Sequence, residues 1–196
     1  MQKSRSFFIA AGVLASSLVL AGCSAGTNSS SPESSPTTST TAEASSAFND
    51  SDVAFTMGMV EHHEQAIEMA QTVLDKDNVD PRVTDLAQSI KDAQGPEIDL
   101  MNDWIEKWEV PMDDMSGMDH GMAMTDEDMA ALDEATGLDA SKLFLTQMTV
   151  HHEGAIEMAQ TELDAGENPD ALTLAQQIID AQTEEIDTMQ SLLAEL

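Results

Sequence analysis

Residues Phe55–Thr72 read FTMGMVEHHEQAIEMAQT, and residues Phe144–Thr161 read FLTQMTVHHEGAIEMAQT. Position by position, Phe55 matches Phe144, Met59 matches Met148, His62 and His63 match His151 and His152, and Met69 matches Met158. Four of the chain's five histidines lie in these two copies. The apolar residues recur at helical rather than alternating spacing, so both copies are predicted helices. Setting Met59 at zero and turning about 100° per residue places Phe55, His62, His63, Ala66, Met69 and Ala70 in one stripe. Glu61, Glu64 and Glu68 fall on the opposite side. The second copy behaves alike, so the imidazoles and thioethers are expected to face inward and the local carboxylates to face water.

The duplication extends further. LAQSIKDAQGPEIDLM, Leu86 to Met101, matches LAQQIIDAQTEEIDTM, Leu174 to Met189. The offset is 89 residues between the histidine helices and 88 between their partners. Asn49, Asp50 and Ser51 offer caps for the first helix, and Asp80-Pro81 and Asn168-Pro169 open the partner helices. The first partner helix is expected to reach about Trp108, with a kink or break at Gly95-Pro96. In the second half, Thr125 is placed to cap a short segment that Gly137 ends. A helix follows from about Asp139 to Ala165, with Gly166 as its stop. One helical hairpin cannot bury its own stripe, but two can close a core. The short turns favour antiparallel neighbours, so the expected fold class is all-α: a four-helix bundle of two repeated hairpins with internal pseudo-two-fold symmetry. Gln94, Glu97 and Met101 share one face of their helix, as do Gln182, Glu185 and Met189, and these faces could approach the histidines.

Composition narrows the partners. Seven basic against 37 acidic residues give a formal charge of −30 over 196 residues. That argues against nucleic acid, whose phosphates need Lys and Arg, and it favours cations near the surface. One cysteine, Cys23, excludes an internal disulfide.

The first 22 residues carry Lys3 and Arg5, then an apolar run from Phe7 to Ala21. That run is too short for a bilayer-spanning helix, which needs about 20 residues, and reads as a signal peptide. It ends in LAGC, Leu20 to Cys23, which resembles the lipobox of bacterial lipoproteins. The resemblance implies cleavage before Cys23 and a lipid on its sulfur, hence a membrane-anchored protein on the extracytoplasmic face. Residues 23–47 are dominated by Ser, Thr, Pro and Ala, and are expected to be a disordered tether. Residues 48–196 are the expected four-helix domain, with a Met-rich connection at 109–125.

Imidazole with thioether suits copper, above all Cu(I), better than hard ions. Met59, Met69, Met148 and Met158 flank the histidine pairs, and Met101 and Met189 stand on the partner helices. The connection PMDDMSGMDHGMAM adds Met112, Met115, Met118, Met122 and Met124 with His120, five thioethers within thirteen residues. This segment has no clear apolar periodicity, so core packing explains it poorly, and closely spaced thioethers suit Cu(I) or Ag(I). A single Met at helical spacing is ordinarily core material. The cluster as a whole is the candidate metal site.

Met59-x-x-His62-His63-x-x-Ala66-Ile67-x-Met69-Ala70 and Gln94-x-x-Glu97-Ile98-x-x-Met101-x-x-Trp104, each with a second copy, resemble the bacterial domain-of-unknown-function family 305. The likeness covers about residues 48–196. The second copy has Leu192 in place of Trp104, and Thr183-Glu184 in place of Gly95-Pro96. The resemblance implies a ferritin-like four-helix fold, and extracytoplasmic copper binding in at least some members, with these His and Met positions as ligands. The expected role is copper sequestration, resistance or delivery, without catalysis. Two other readings compete. A di-iron bundle needs Glu-x-x-His pairs, and neither Glu61 nor Glu64 has a His three residues later. A structural or partner-binding envelope lipoprotein would use the histidines only for packing.

Overall fold

The computed structural model describes residues 47–110 and 124–196. The signal peptide, Cys23, the tether, and Met112, Met115, Met118, His120 and Met122 lie outside the described residues. The described chain is all helical: α1 (Asp50–Leu74), α2 (Pro81–Lys107), α3 (Asp126–Glu134), α4 (Gly137–Ala165) and α5 (Pro169–Glu195). None of these helices is long and apolar enough to cross a membrane.

Local chemistry sets the helix starts. Asn49 Oδ1 accepts the amides of Ser51 and Asp52, and Asp52 Oδ2 accepts the amide of Asn49 at 2.6 Å. This reciprocal box satisfies amide donors that the first turn would otherwise leave open. Thr125 and Asp128 form the same box at α3. Asp80 and Asn168 cap α2 and α5, each followed by proline in the first turn. Gly137 opens α4 with φ at +57°, a backbone that side-chain-bearing residues adopt at a cost. Gly166 caps the other end of α4 in extended backbone.

α2 runs without a break through Gly95-Pro96. The helix does not break there: Pro96 removes one donor, while Ile90, Gln94, Met101 and Trp104 hold the same face in the core on both sides. The short segment that Thr125 caps is a separate helix, α3, so four long helices carry a fifth, short one.

α1 packs on α2, α4 on α5, and α1 on α4. Two apolar clusters result. One joins Met69, Ala70 and Val73 of α1, Val83 and Ile90 of α2, Phe144, Leu145 and Met148 of α4, and Met189 of α5. The other joins Phe55, Met59 and Val60 of α1, Met101 and Trp104 of α2, Ala155 and Ala159 of α4, and Leu174 and Ile178 of α5. The C-terminal half of α1 meets the N-terminal half of α4, and the reverse, so these two helices are antiparallel. Each cluster is the pseudo-symmetric image of the other, and the histidine pairs occupy the middle of α1 and α4, where the clusters abut.

Candidate metal centre

All four histidines of the repeat are buried: His62 is 2% exposed, and His63, His151 and His152 are 0% exposed. Their positions in the inward stripe follow from the helix phase read in the sequence. Antiparallel packing of α1 on α4 then brings the two pairs together. The rings of His62 and His151 lie 3.7 Å apart between centroids, tilted by 38°. His151 and His152 are 6.4 Å apart.

The partner helices close the site from outside. His63 Nε2 lies 2.7 Å from Glu97 Oε2, and His152 Nε2 lies 2.6 Å from Glu185 Oε2. A carboxylate only accepts, so Nε2 is the donor in each pair. In the neutral ring Nδ1 then keeps its lone pair. Glu64 and Glu153 of the HHE runs, by contrast, are exposed. The glutamates that reach the histidines therefore come from α2 and α5, one helix away, and not from the histidine helices.

Both nitrogens of His62 and of His151, and Nδ1 of His63 and of His152, have no hydrogen-bond partner among the described residues. Gln94 and Gln182, also buried, leave their Oε1 atoms unpaired. Buried polar groups are normally paired, and an orphan costs about 1–3 kcal/mol. In neutral rings these six nitrogens present four lone pairs, one from each histidine, and two N–H groups, at one level of the bundle. Burial, and then the charges of neighbouring histidines, push His62 down to about 3 and His151 down to about 2. Both rings are neutral at physiological pH, the form that binds metals.

The thioethers divide into two groups. Met59, Met101, Met148 and Met189 are fully buried. Met59 and Met148 stand one turn before the histidine pairs, and Met101 and Met189 one turn beyond Glu97 and Glu185. Met189 Sδ also accepts the Thr149 hydroxyl at 3.8 Å. Met69 and Met158 are placed apart. Met69 lies two turns along α1 from His62, in the cluster closed by Leu132 of α3. Met158 lines a surface groove and touches α1 where Gly58 stands; a Cβ there would sit 3.0 Å from Met158 Cε. Met124, the one described member of the Met-rich run, pairs its backbone N–H and C=O with the Gln65 side chain at 2.7 and 3.0 Å.

Glu97 and Glu185 are the site residues that periodicity alone did not assign. Their shared face with Gln94, Met101, Gln182 and Met189 was the available signal. Among the described residues, no three His, Cys, Asp or Glu side chains make a metal site by themselves. A bound metal would draw further donors from thioethers or amide oxygens.

The fold and this centre define a class: a duplicated-hairpin four-helix bundle with a buried imidazole cluster flanked by carboxylates and thioethers. The chain belongs to the DUF305 family, a domain of unknown function, which matches residues 52–193. It is similar to a DUF305 protein from Streptomyces coelicolor described as secreted, with 32% identity, a TM-score of 0.68, and coverage of 74% of this chain and 93% of that one. It is similar to a DUF305 fragment from Deinococcus radiodurans, with 27% identity, a TM-score of 0.65, and coverage of 76% and 98%. CopM in its Cu(II)-bound form shares 32% identity at a TM-score of 0.63, covering 74% of this chain and 96% of CopM. CopM has also been solved with Cu(I) and with Ag. No curated protein matches the chain.

Proposed function

We propose that the protein binds copper, in the Cu(I) state, outside the cytoplasm, and serves its sequestration, resistance or delivery without catalysing a reaction. The observation that carries this reading is the set of six orphaned ring nitrogens on His62, His63, His151 and His152. The His63–Glu97 and His152–Glu185 bonds have the form that orients metal-ligating histidines, one ring nitrogen on a carboxylate and the other left for the metal. Met59, Met101, Met148 and Met189 supply soft donors within a turn of these groups, which favours Cu(I) over Zn, Mg or Ca. CopM, with the same fold, holds copper and silver. The di-iron reading meets too few carboxylates, since among the described residues only Glu97 and Glu185 bond the buried histidines. A purely packing role does not account for six buried, unpaired nitrogens. A lipid on Cys23 would hold the domain at the membrane, and Met112–Met124 would add a peripheral thioether store.

Competition between the full chain and a chromophoric Cu(I) chelator tests this, with X-ray absorption at the copper edge. Retained Cu(I) with nitrogen and sulfur neighbours is expected, and deleting residues 112–124 should lower the stoichiometry while the helical spectrum persists. No Cu(I) uptake, or an all-oxygen environment, would refute the reading.

A further inference from the structure

Among the described residues, the two-fold plan of the bundle is broken on the outer face of α1 and α4. On one half, α3 lies across the groove between them. Leu132 is fully buried there, with Met129 and Met124 packed beside it. Two glutamines hook the α3 backbone: Gln65 holds Met124, and Gln147 Nε2 donates to the Asp128 carbonyl at 2.8 Å. Lys76 closes the far end on the Asp133 carbonyl at 2.6 Å. The pseudo-symmetric half has no such cover among the described residues. The counterparts of the hooks are glycines, Gly154 for Gln65 and Gly58 for Gln147. The result is a cavity of about 260 Å³. Ala54, Phe55, Gly154 and Met158 give it an apolar floor, and Glu157 and Glu162 give it acidic walls. Glu162 is buried at the end of the groove, where its carboxyl accepts the Ser51 hydroxyl at 3.3 Å and hydrogen-bonds Asp52, so the exposed Glu157 is the acid open to a partner.

We propose that this open half is a docking groove for a cationic amphipathic helix of a partner protein. The molecule itself shows that a helix seats on this pair of helices, because α3 does so on the equivalent half. The charge pattern selects the occupant. α3 carries acids in its first turn and last turn, where a helix facing the exposed Glu157 on this strongly acidic chain needs Lys or Arg. A second copy of this chain, with 7 basic against 37 acidic residues, is poorly matched. An apolar side chain would fill the space above Ala54 and Met158, and a lysine or arginine would lay its stem on that floor and its head on Glu157. The groove contains none of the central histidines, so its occupancy is independent of whether they bind copper.

The test uses the full chain and three synthetic peptides: residues 124–136, the same sequence with its five acidic residues changed to lysine, and a scrambled form of the lysine peptide. Calorimetric titration should show saturable binding of the lysine peptide alone. Ala54→Trp, which fills the groove, and Glu157→Lys, which reverses its wall, should each weaken binding at least tenfold. Both positions are exposed, so the fold is retained. Equal binding of the scrambled peptide, or full affinity in the Ala54→Trp variant, would overturn the proposal.

Discussion

The centre and the outer face of the bundle descend from one duplicated plan, yet they treat it differently. At the centre the plan is kept residue for residue: two histidine pairs, two His–Glu bonds, two buried glutamines and two pairs of buried methionines. On the face the described residues depart from it. Met69 is sealed under α3, whereas its counterpart Met158 borders an open groove. Ser141 Oγ accepts the Asp80 amide at 3.0 Å at one end, and its counterpart Asp52 accepts the Asn168 amide at 2.7 Å at the other. Val73, in the apolar core, corresponds to Glu162, a buried carboxyl beside Asp52. The symmetric part is where both hairpins must present donors to one shared point. The asymmetric part consists of surfaces that each half can use separately.

Chemistry at the centre should therefore respond alike to changes in either hairpin. Glu97→Gln and Glu185→Gln should each lower copper affinity by a similar factor, about 10–100-fold, measured by chelator competition. A loss confined to one variant would show that the two halves are unequal in spite of their matching geometry.

The covered and open halves should differ in stability. Leu132→Ala removes a fully buried side chain under α3 and should cost about 2–5 kcal/mol in chemical denaturation. Met158→Ala, at a half-exposed site, should cost clearly less than Met69→Ala, which empties a buried one. Equal costs at Met69 and Met158 would contradict the assignment of one covered and one open half.

The acidic end should add a pH dependence that the Ser141–Val73 end lacks. Burial, reinforced by the neighbouring Asp52, raises Glu162 from 4.5 to about 7. The folded state then holds this proton more tightly than the unfolded chain, so stability falls as pH rises from about 4.5 to about 7. Asp52 acts in the opposite direction and at lower pH: burial opposes its ionisation, but amides of Asn49, Asn168 and Glu167 hold it below its usual value. Its contribution is present above pH 3.8 and is lost on further acidification. Glu162→Gln should flatten the decline between these two limits and raise stability at pH 8 by an amount on the order of 1–3 kcal/mol. An unchanged pH profile would show that Glu162 is ionised at no cost.

Much of this was legible in the sequence, and the rest was hidden for physical reasons. The duplicated stretch, its helical phase and the Pro and Asn caps foretold the hairpins and the inward histidines. His62, His63, His151 and His152 could be placed because a helix fixes the phase of its own side chains. Which carboxylates meet them could not, since Glu97 and Glu185 depend on how α2 and α5 dock. The same limit separates Met69 from Met158. They are identical in local sequence, and only the position of α3 makes one core and the other groove. At Gly95-Pro96 the helix does not break, because packing on both sides of the proline outweighs the lost hydrogen bond.

The most direct test of the central claim is a pair of measurements on one variant, His62→Leu with His151→Leu. These rings are buried and unpaired in the metal-free protein, so leucines of similar volume should leave the apo bundle as stable or raise it by about 1–3 kcal/mol. The same variant should lose its Cu(I)-dependent rise in melting temperature. Stabilisation without copper and loss of response with copper would establish that the histidines are kept for the metal. A destabilised apo protein that still melts higher with Cu(I) would contradict the account.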